Sequence, residues 1–483
     1  MTTKTKDLLI SLAVAIVAAV GAYFLFRGSS SAYLNALPKD AQALARLDVN
    51  AIFDKAKLTD EEKAQLFQRL AFSDEKDAST GLDLSKSLYG FAAQDGNFGV
   101  LAAVANDDEL TAWCQRLQAQ GRASEMTRQR GYSWVVVEQK WLMAFDDEKA
   151  LAMGPAVGAA QDQLRTTIVK LLEQKEKESA LKTELYDLLF SEDEPVVAVV
   201  RPELMPQEVL GYMKSLKLTS SAQGLYLLTL DADDNELDLD INIVSNDEDV
   251  KAELQRFNQL MRPLNGSLVE NAHADQAIWL AFNTKGEDLL KFLRSEPTIR
   301  TALITLNLVV DADRIIKAID GDLAVEFTAA KASTASKDIR FDFDFKNARL
   351  TAQLANTDFL SGASSWGNSF LSVKALSATE YVVNYNPTPI YLGVKDKIFY
   401  LGSERGLSTE GNTYLRQQGS DLKGARFFAT LNLSSIPLEP ISFWSKLYPD
   451  LNRLDVKMEE AGEFTFTLKA SDNTNILRTL LKL

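Results

Sequence analysis

The 483-residue chain contains only one cysteine and one histidine, Cys114 and His273. A single cysteine cannot form an intramolecular disulfide, so the sequence does not reveal the redox compartment. Cys114 follows Trp113 in a predicted helix, and we expect its side chain in the core. Catalysis by a nucleophile and histidine would require His273 to meet a serine and an aspartate. A zinc site would need additional carboxylates, and no ligand spacing predicts one.

Positive charge is also scarce. The chain has 52 lysines and arginines against 67 aspartates and glutamates, which gives a net charge of −15. This balance argues against nucleic acid as a partner, because phosphate neutralisation needs clustered cations. It also argues against a body that lies flat on anionic lipid.

Phosphate-binding and nucleophile motifs are missing as well. Neither G-x-G-x-x-G nor G-x-x-x-x-G-K-[ST] occurs in the sequence. The stretch Gly362–Trp366 lacks the closing glycine of a nucleophile elbow, so we interpret it as a loop. The acidic run Asp231–Asn235 begins like a calcium loop, but Glu236 replaces its glycine and Asn242 its final glutamate. We predict a hairpin turn there, with a weak surface cation site as the alternative.

One long uncharged segment is present, Leu8–Phe26. Its 19 residues at about 1.5 Å each approach the roughly 30 Å of a bilayer core. Residues 1–32 are therefore predicted to be an N-terminal membrane anchor with one transmembrane helix. Cleavage after the small residues of 29–32 is the alternative.

The orientation of this anchor is predicted from its flanking charges. Lys4 and Lys6 precede the apolar segment and Arg27 follows it. The two lysines favour a body outside the cytoplasm, whereas Arg27 argues mildly for the reverse. In a bacterium, the prediction is a single-pass inner-membrane protein whose body faces the periplasm.

The remaining chain is too long for one core, and its patterns predict an α+β fold with two similar halves. We expect a first half over residues 33–261, a linker over 262–274 and a second half over 275–483. Each half is predicted to be an antiparallel sheet with helices packed on one face. A long helical pattern, Gly158–Phe190, is interrupted by charge over Glu173–Glu178 and is expected to bend or break there.

The order of elements indicates that the halves are copies of one unit. Asp40–Leu58 resembles Asp275–Leu293, and each half ends in a strand, a helix, a hairpin and a helix. The alternative is that any α+β chain shows such alternation.

Other polar and aromatic residues have ordinary structural explanations. The pairs Asp238/Asp240 and Asp342/Asp344 alternate with apolar residues, so we place them on the wet faces of strands. Trp366, in a loop rich in glycine and serine, is the tryptophan most expected to be exposed, either as an anchor against the body or as a ligand platform.

Three segments after the anchor resemble a known family. They are LPKDAQALARLDVNAIFDKAKL, YGFAAQDGNFGVLAAVANDDEL and GYSWVVVEQKWLMAFDDEKALAMGPA. The chain resembles the envelope proteins of Bacteroidota grouped as domain of unknown function 4836. The resemblance implies a location in the cell envelope and carries no activity, cofactor or functional residue. The chain departs from the many members that begin as lipoproteins, because it has no cysteine near its apolar segment.

These observations predict an anchored extracytoplasmic protein that binds or scaffolds and is not an enzyme. We assign no catalytic, cofactor-binding or metal-ligating residue and expect no cofactor. The expected partners are the membrane, through the N-terminal helix, and a protein or other envelope component. The alternative is a hydrolase that uses carboxylates on an envelope polymer.

Overall fold

The computed structural model describes residues 32–71, 79–156, 161–215, 218–332, 343–367, 371–385, 388–409, 411–435 and 450–481. The predicted transmembrane helix Leu8–Phe26 lies outside them, as does Asp342 of the predicted carboxylate pair. Within those ranges, no helix is both long enough and apolar enough to cross a bilayer. The chain is α+β, as predicted, and it divides into two compact units.

Unit 1 comprises Met1–Tyr212, Ala222–Ser245 and Asn473–Leu483. Its described strands are β1 (Ala43–Leu47), β2 (Leu82–Asp83), β3 (Leu88–Ala92), β4 (Phe98–Val104), β5 (Thr127–Gln129), β6 (Tyr132–Val137), β7 (Trp141–Phe145), β8 (Lys149–Gly154), β9 (Val196–Val200), β10 (Leu225–Asp233) and β11 (Glu236–Val244). They form an antiparallel sheet in the order β11-β10-β9-β1-β3-β4-β8-β7-β6-β5, and β2 pairs with the end of β4.

The helices of unit 1 connect these strands. They are α1 (Val49–Lys55), α2 (Asp60–Ala71), α3 (Asp107–Ala119), α4 (Gln161–Glu173), α5 (Glu184–Leu189), α6 (Gln207–Ser215) and α13 (Ile476–Leu481). The last three residues of α6 fall in unit 2. The predicted break in the long helical pattern is confirmed, because α4 ends at Glu173 and short 3-10 turns precede α5. The predicted hairpin at Asp231–Asn235 is also confirmed, as the connection between β10 and β11.

Unit 2 comprises Met213–Ser221 and Asn246–Asp472. Its described strands are β12 (Gln276–Lys285), β13 (Ile319–Ala332), β14 (Phe343–Leu354), β15 (Ser372–Ala375), β16 (Glu380–Tyr385), β17 (Thr388–Lys395), β18 (Ile398–Gly402), β19 (Phe427–Asn432), β20 (Leu451–Met458) and β21 (Glu463–Ala470). Their antiparallel order is β21-β20-β19-β12-β13-β14-β18-β17-β16-β15, the same connectivity as in unit 1.

The described helices of unit 2 are α7 (Glu248–Leu260), α8 (Gly286–Ser295), α9 (Pro297–Asn307), α10 (Ala312–Lys317), α11 (Thr413–Gln417) and α12 (Gly419–Leu422). The compact units differ from the contiguous halves of the sequence prediction, because α7 belongs to unit 2 and α13 to unit 1. The segment 262–274, predicted as a linker, contributes Leu264, Leu268 and Val269 to a hydrophobic core of unit 2.

The prediction that helices pack on one face of each sheet is wrong, because both faces are covered. In β4, Leu101 and Ala103 join one core with α4 and α5, whereas Ala102 and Val104 join another with α1 and α3. In unit 2, neighbouring residues Leu323 and Ala324 of β13 likewise belong to different cores. Continuous apolar stretches in strands indicate burial on both faces, whereas alternation indicates burial on one.

Cys114 is buried in the core of unit 1 beside α1, as predicted. Burial raises the pKa of its thiol to about 12. Only the thiolate is an efficient nucleophile, so Cys114 should react with a thiol reagent far more slowly in the folded chain than in urea at about pH 8. Rapid labelling of the native full-length chain would contradict this placement.

The last helix, α13, should stabilise unit 1. Ile476 is fully buried, and Asn475 Nδ2 donates to the carbonyl oxygen of Lys55 at 2.8 Å. We expect Ile476→Ala to cost about 2–5 kcal/mol, because it leaves a cavity. The measurement is the urea concentration at which Cys114 becomes reactive, which should fall.

The matched control for this prediction is Ile304→Ala, because Ile304 lies in unit 2 with 61% of its surface exposed. Exposed substitutions of this kind usually change stability by about 0.5 kcal/mol or less. Equal shifts for the two variants would show that α13 does not stabilise unit 1.

Candidate functional site

A buried ion pair lies at the centre of a polar cluster in unit 2. Glu326 in β13 and Arg349 in β14 are directly opposite each other, and both side chains are at least nine-tenths buried. Arg349 Nε donates to Glu326 Oε1 at 2.6 Å, and Arg349 Nη2 contacts the same oxygen. Arg349 Nη2 also donates to the carbonyl oxygen of Asn271 at 3.0 Å. The pair is thus hydrogen-bonded beyond its mutual contact, as a buried ion pair requires.

His273 connects this ion pair to two further carboxylates. Its backbone N–H donates to Glu326 Oε2 at 2.9 Å. Its ring Nδ1 lies 2.7 Å from Asp275 Oδ1, and its ring Nε2 lies 3.3 Å from Glu404 Oε2. The tautomer of the imidazole ring decides which of the two contacts is a donated hydrogen bond. The histidine therefore joins segments of unit 2 that are distant in sequence.

A small pocket opens beside these groups. It is lined by His273, Glu326, Thr328, Asn347, Ala348, Arg349 and Glu404. The space available to the centre of a water-sized sphere is about 10 Å³, which is room for about one water. The hydroxyl of Thr328 and the side-chain amide of Gln276, opposite it in the sheet, are buried without a hydrogen-bond partner among the described atoms.

The contacts of this cluster fit a structural role better than the nucleophile–histidine catalysis or the zinc site considered from the sequence. His273 contacts the carboxylates of Glu326, Asp275 and Glu404. Among the described residues, no serine hydroxyl is hydrogen-bonded to it. Over the described ranges, no three side chains of His, Cys, Asp or Glu are arranged to hold a metal ion. The cluster was not predicted from the sequence, because its members come from four separate segments.

Trp366 packs against the body, as the anchor interpretation predicted, and it is only partly exposed. Its ring stacks on Phe359 with centroids 6.4 Å apart and meets Tyr381 edge-on at 5.0 Å. The segment that precedes it forms a 3-10 helix, Asp358–Ser365. Gly362–Trp366 is therefore a packed connection, and its tryptophan belongs to a core of unit 2.

A second candidate site is an exposed apolar surface on α9, which the sequence analysis missed. We call the side chains of Ile299, Ile304, Leu306 and Leu308 the α9 surface; their exposed fractions are 37%, 61%, 49% and 67%. They account for half of the eight large hydrophobic side chains that are exposed in the described chain. The other four, Phe190, Val209, Leu376 and Leu401, lie at separate places along the chain.

The polar groups of α9 are largely satisfied within the helix. The hydroxyls of Thr301 and Thr305 donate to the carbonyl oxygens four residues earlier, at 3.0 and 3.2 Å. Asn307 Nδ2 donates to the carbonyl oxygen of Leu303 at 2.9 Å. Arg300 is the single charged residue of the helix. These side-chain donors therefore have partners within the helix.

Contacts on its inner side fix α9 in this orientation. Leu303 and Val309 are buried, and Pro297 begins the helix at a position where proline is favoured. Asn307 also bonds Asp313 of α10, which pairs with Arg294 of α8. The side chains of the α9 surface are thus exposed although the helix itself is held in place by these contacts.

The ion pair of Glu326 and Arg349 makes a specific prediction about stability. Arg349→Met should destabilise unit 2 by about 3–5 kcal/mol, because it leaves a buried carboxylate without its cation. Adding Glu326→Gln should recover much of this loss, because glutamine is neutral and still accepts the N–H of His273. The measurement is urea denaturation of both variants.

A matched control is Lys291→Met, which breaks an exposed pair with Asp288 in α8. Exposed pairs contribute about 0–1 kcal/mol, so this change should have little effect. If Glu326→Gln did not improve the Arg349→Met variant, the unpaired charge would not be the source of the loss.

Comparison with known proteins gives a family and little more. No curated protein matches the chain. Among solved structures, crystal forms IV, I and III of TP0453 are similar at 10%, 11% and 12% identity, each with a TM-score of 0.28. The matches cover 44%, 48% and 49% of this chain and 81%, 88% and 90% of those chains. A likeness at this TM-score carries no argument about fold or function. The model of the family described as Domain of unknown function (DUF4836) matches residues 33–430, well over half of the sequence, and the chain belongs to that family.

Proposed function

We propose that the chain is a membrane-anchored, extracytoplasmic protein of the cell envelope that acts by binding or scaffolding. The observation that carries the proposal is the α9 surface, an apolar cluster on an otherwise acidic protein. Clustered exposed apolar side chains in a folded protein mark interaction sites, whereas scattered ones need no explanation. A Bacteroidota source, implied by the resemblance, stays part of this proposal.

The location rests on the apolar segment Leu8–Phe26. Its length and its preceding lysines favour a single-pass inner-membrane anchor with the body in the periplasm. Five residues separate Phe26 from Ala32, where the described chain begins. Fully extended, they span roughly 20 Å, so the start of unit 1 would be held close to the bilayer.

The shared strand order of the two units supports the proposal that the protein arose by duplication of one unit. Ten strands in each unit follow one connectivity, with β1 corresponding to β12 and β11 to β21. Agreement over ten strands is difficult to explain by the simple alternation of helices and strands. We therefore interpret units 1 and 2 as copies of one ancestral unit, which gives the protein two related surfaces.

The alternative function is a carboxylate-dependent hydrolase that acts on an envelope polymer. The carboxylates around His273 are the observation in its favour, because paired carboxyl groups perform acid–base work in glycosidases. Glu326, however, is engaged by Arg349, and the adjacent pocket has room for about one water, which is too little for a sugar ring. Binding is the better supported function.

The predicted topology is tested by fusing reporters after Leu483 of the full chain. A reporter that is active only in the periplasm should be active, because the lysines before the anchor favour the cytoplasmic side. A matched fusion to a reporter that is active only in the cytoplasm should stay silent. The reverse pattern would contradict the proposed location.

The proposed binding function is tested by cross-linking in cells followed by mass spectrometry. We expect cross-linked peptides from envelope proteins that map repeatedly to one surface of a unit. A variant without residues 1–26 serves as the control, because it lacks the membrane location. Recovery of only the uncross-linked chain would contradict a scaffold function and would leave the topology result unaffected.

A further inference from the structure

We propose that the pocket beside the buried ion pair is a binding site for one ordered water molecule, held by the hydroxyl of Thr328. Thr328 lies two residues after Glu326 in β13, and its side chain lines the pocket. Only 2% of its surface is exposed, and its hydroxyl has no hydrogen-bond partner among the described atoms. The site uses contacts within unit 2 alone, so it is independent of the proposed location of the chain.

A buried hydroxyl without a partner is unfavourable, which is the reason to expect a ligand beside Thr328. Burial of such a group costs free energy, and buried polar groups in folded proteins nearly always bond to protein or to ordered water. The other polar side chains of the pocket are already engaged. Arg349 Nε donates to Glu326 Oε1, and Asn347 Nδ2 donates to Glu404 Oε1. A ligand in the pocket would therefore complete the hydrogen bonding of the lining residue that needs it.

Two carboxylate oxygens of the pocket provide acceptors for the protons of a water. Glu326 Oε2 accepts the backbone N–H of His273, and Glu404 Oε2 lies 3.3 Å from Nε2 of the same histidine. Each carboxylate oxygen can accept about two hydrogen bonds, so both oxygens have capacity for one more. A water that accepts the hydroxyl proton of Thr328 has two protons to donate, and about three bonds are usual for a buried water.

The size and charge of the pocket select water over other ligands. The pocket has room for about one water, which excludes an organic molecule. The guanidinium of Arg349 lines the same space and disfavours a metal cation. Over the described ranges, no three side chains of His, Cys, Asp or Glu are arranged to hold one. Water donates and accepts hydrogen bonds, so it suits a wall made of a cation and carboxylates.

The corresponding strands of unit 1 face their core with apolar side chains. In the shared strand order, β3 and β4 occupy the places of β13 and β14. Phe91 and Leu101 of these strands share a hydrophobic core with Leu37, from the segment that precedes β1. In unit 2, Glu326 and Arg349 instead bond the backbone of the segment that precedes β12. The polar layer and its water site are thus properties of unit 2, because the shared fold also accepts an apolar layer.

The test compares crystal structures of the full chain and three variants, at a resolution that shows ordered waters. Thr328→Val keeps the shape of the side chain and removes its hydroxyl. Thr328→Ser keeps the hydroxyl, so it also tests the site if the valine variant fails to fold. Thr229→Val is the matched control, because Thr229 is likewise buried in a strand, β10, but belongs to unit 1.

We expect one water peak at about 2.5–3.0 Å from the hydroxyl of residue 328 and from a carboxylate oxygen of Glu326 or Glu404. The peak should be present in the unmodified chain, in Thr328→Ser and in Thr229→Val. Thr328→Val should lose the peak and keep the contact between Glu326 and Arg349.

Four results would overturn the proposal. The first is a pocket without a peak in the unmodified chain, and the second is a direct hydrogen bond between the Thr328 hydroxyl and the amide of Gln276. The third is an unchanged peak in Thr328→Val, because the hydroxyl would then not hold the water. The fourth is a peak with six or more oxygen neighbours at about 2.3–2.6 Å, which would identify a cation such as calcium.

Discussion

Burial of both faces of each sheet is the constraint on which the rest of the structure depends. A strand such as β4 must be apolar on consecutive residues, because Leu101 and Ala102 enter different cores. Helices on both sides are needed to cover such a strand, which explains why α4 and α3 belong to different cores. A buried charge on this kind of strand requires a partner of opposite charge and further hydrogen bonds. Glu326 and Arg349 meet this condition because the strand register places them opposite each other.

The sequence allowed good prediction of those elements whose patterns are strong and local. Alternation of Leu237, Leu239 and Ile241 predicted the strand β11, and the acidic turn before it placed the hairpin. The charged stretch after Glu173 correctly placed the end of α4. The number of sheet faces covered by helices was harder to predict from the sequence. A continuous apolar stretch identifies a buried strand without showing which elements cover it.

The candidate sites were largely inaccessible to sequence reasoning. His273, Glu326 and Glu404 are separated by more than 50 residues from one another, and only the sheet register and loop packing bring them together. The helix α9 was missed for a different reason. Its threonines and isoleucines are poor helix formers, and its apolar residues lack the one-sided period of an amphipathic helix. The apolar stretch from Leu303 to Val310 was the available signal, and it also fits a strand.

The placement of α13 has a consequence for how the protein is made. Leu477 and Leu481 of α13 pack against a core of unit 1 whose first strand, β1, is synthesised more than 400 residues earlier. A chain emerging from the ribosome, or threading across a membrane, would normally fold its leading domain first. Here the leading unit lacks the contacts of α13 until residues 476–481 have emerged. Unit 1 can therefore complete its packing only after unit 2 has been synthesised.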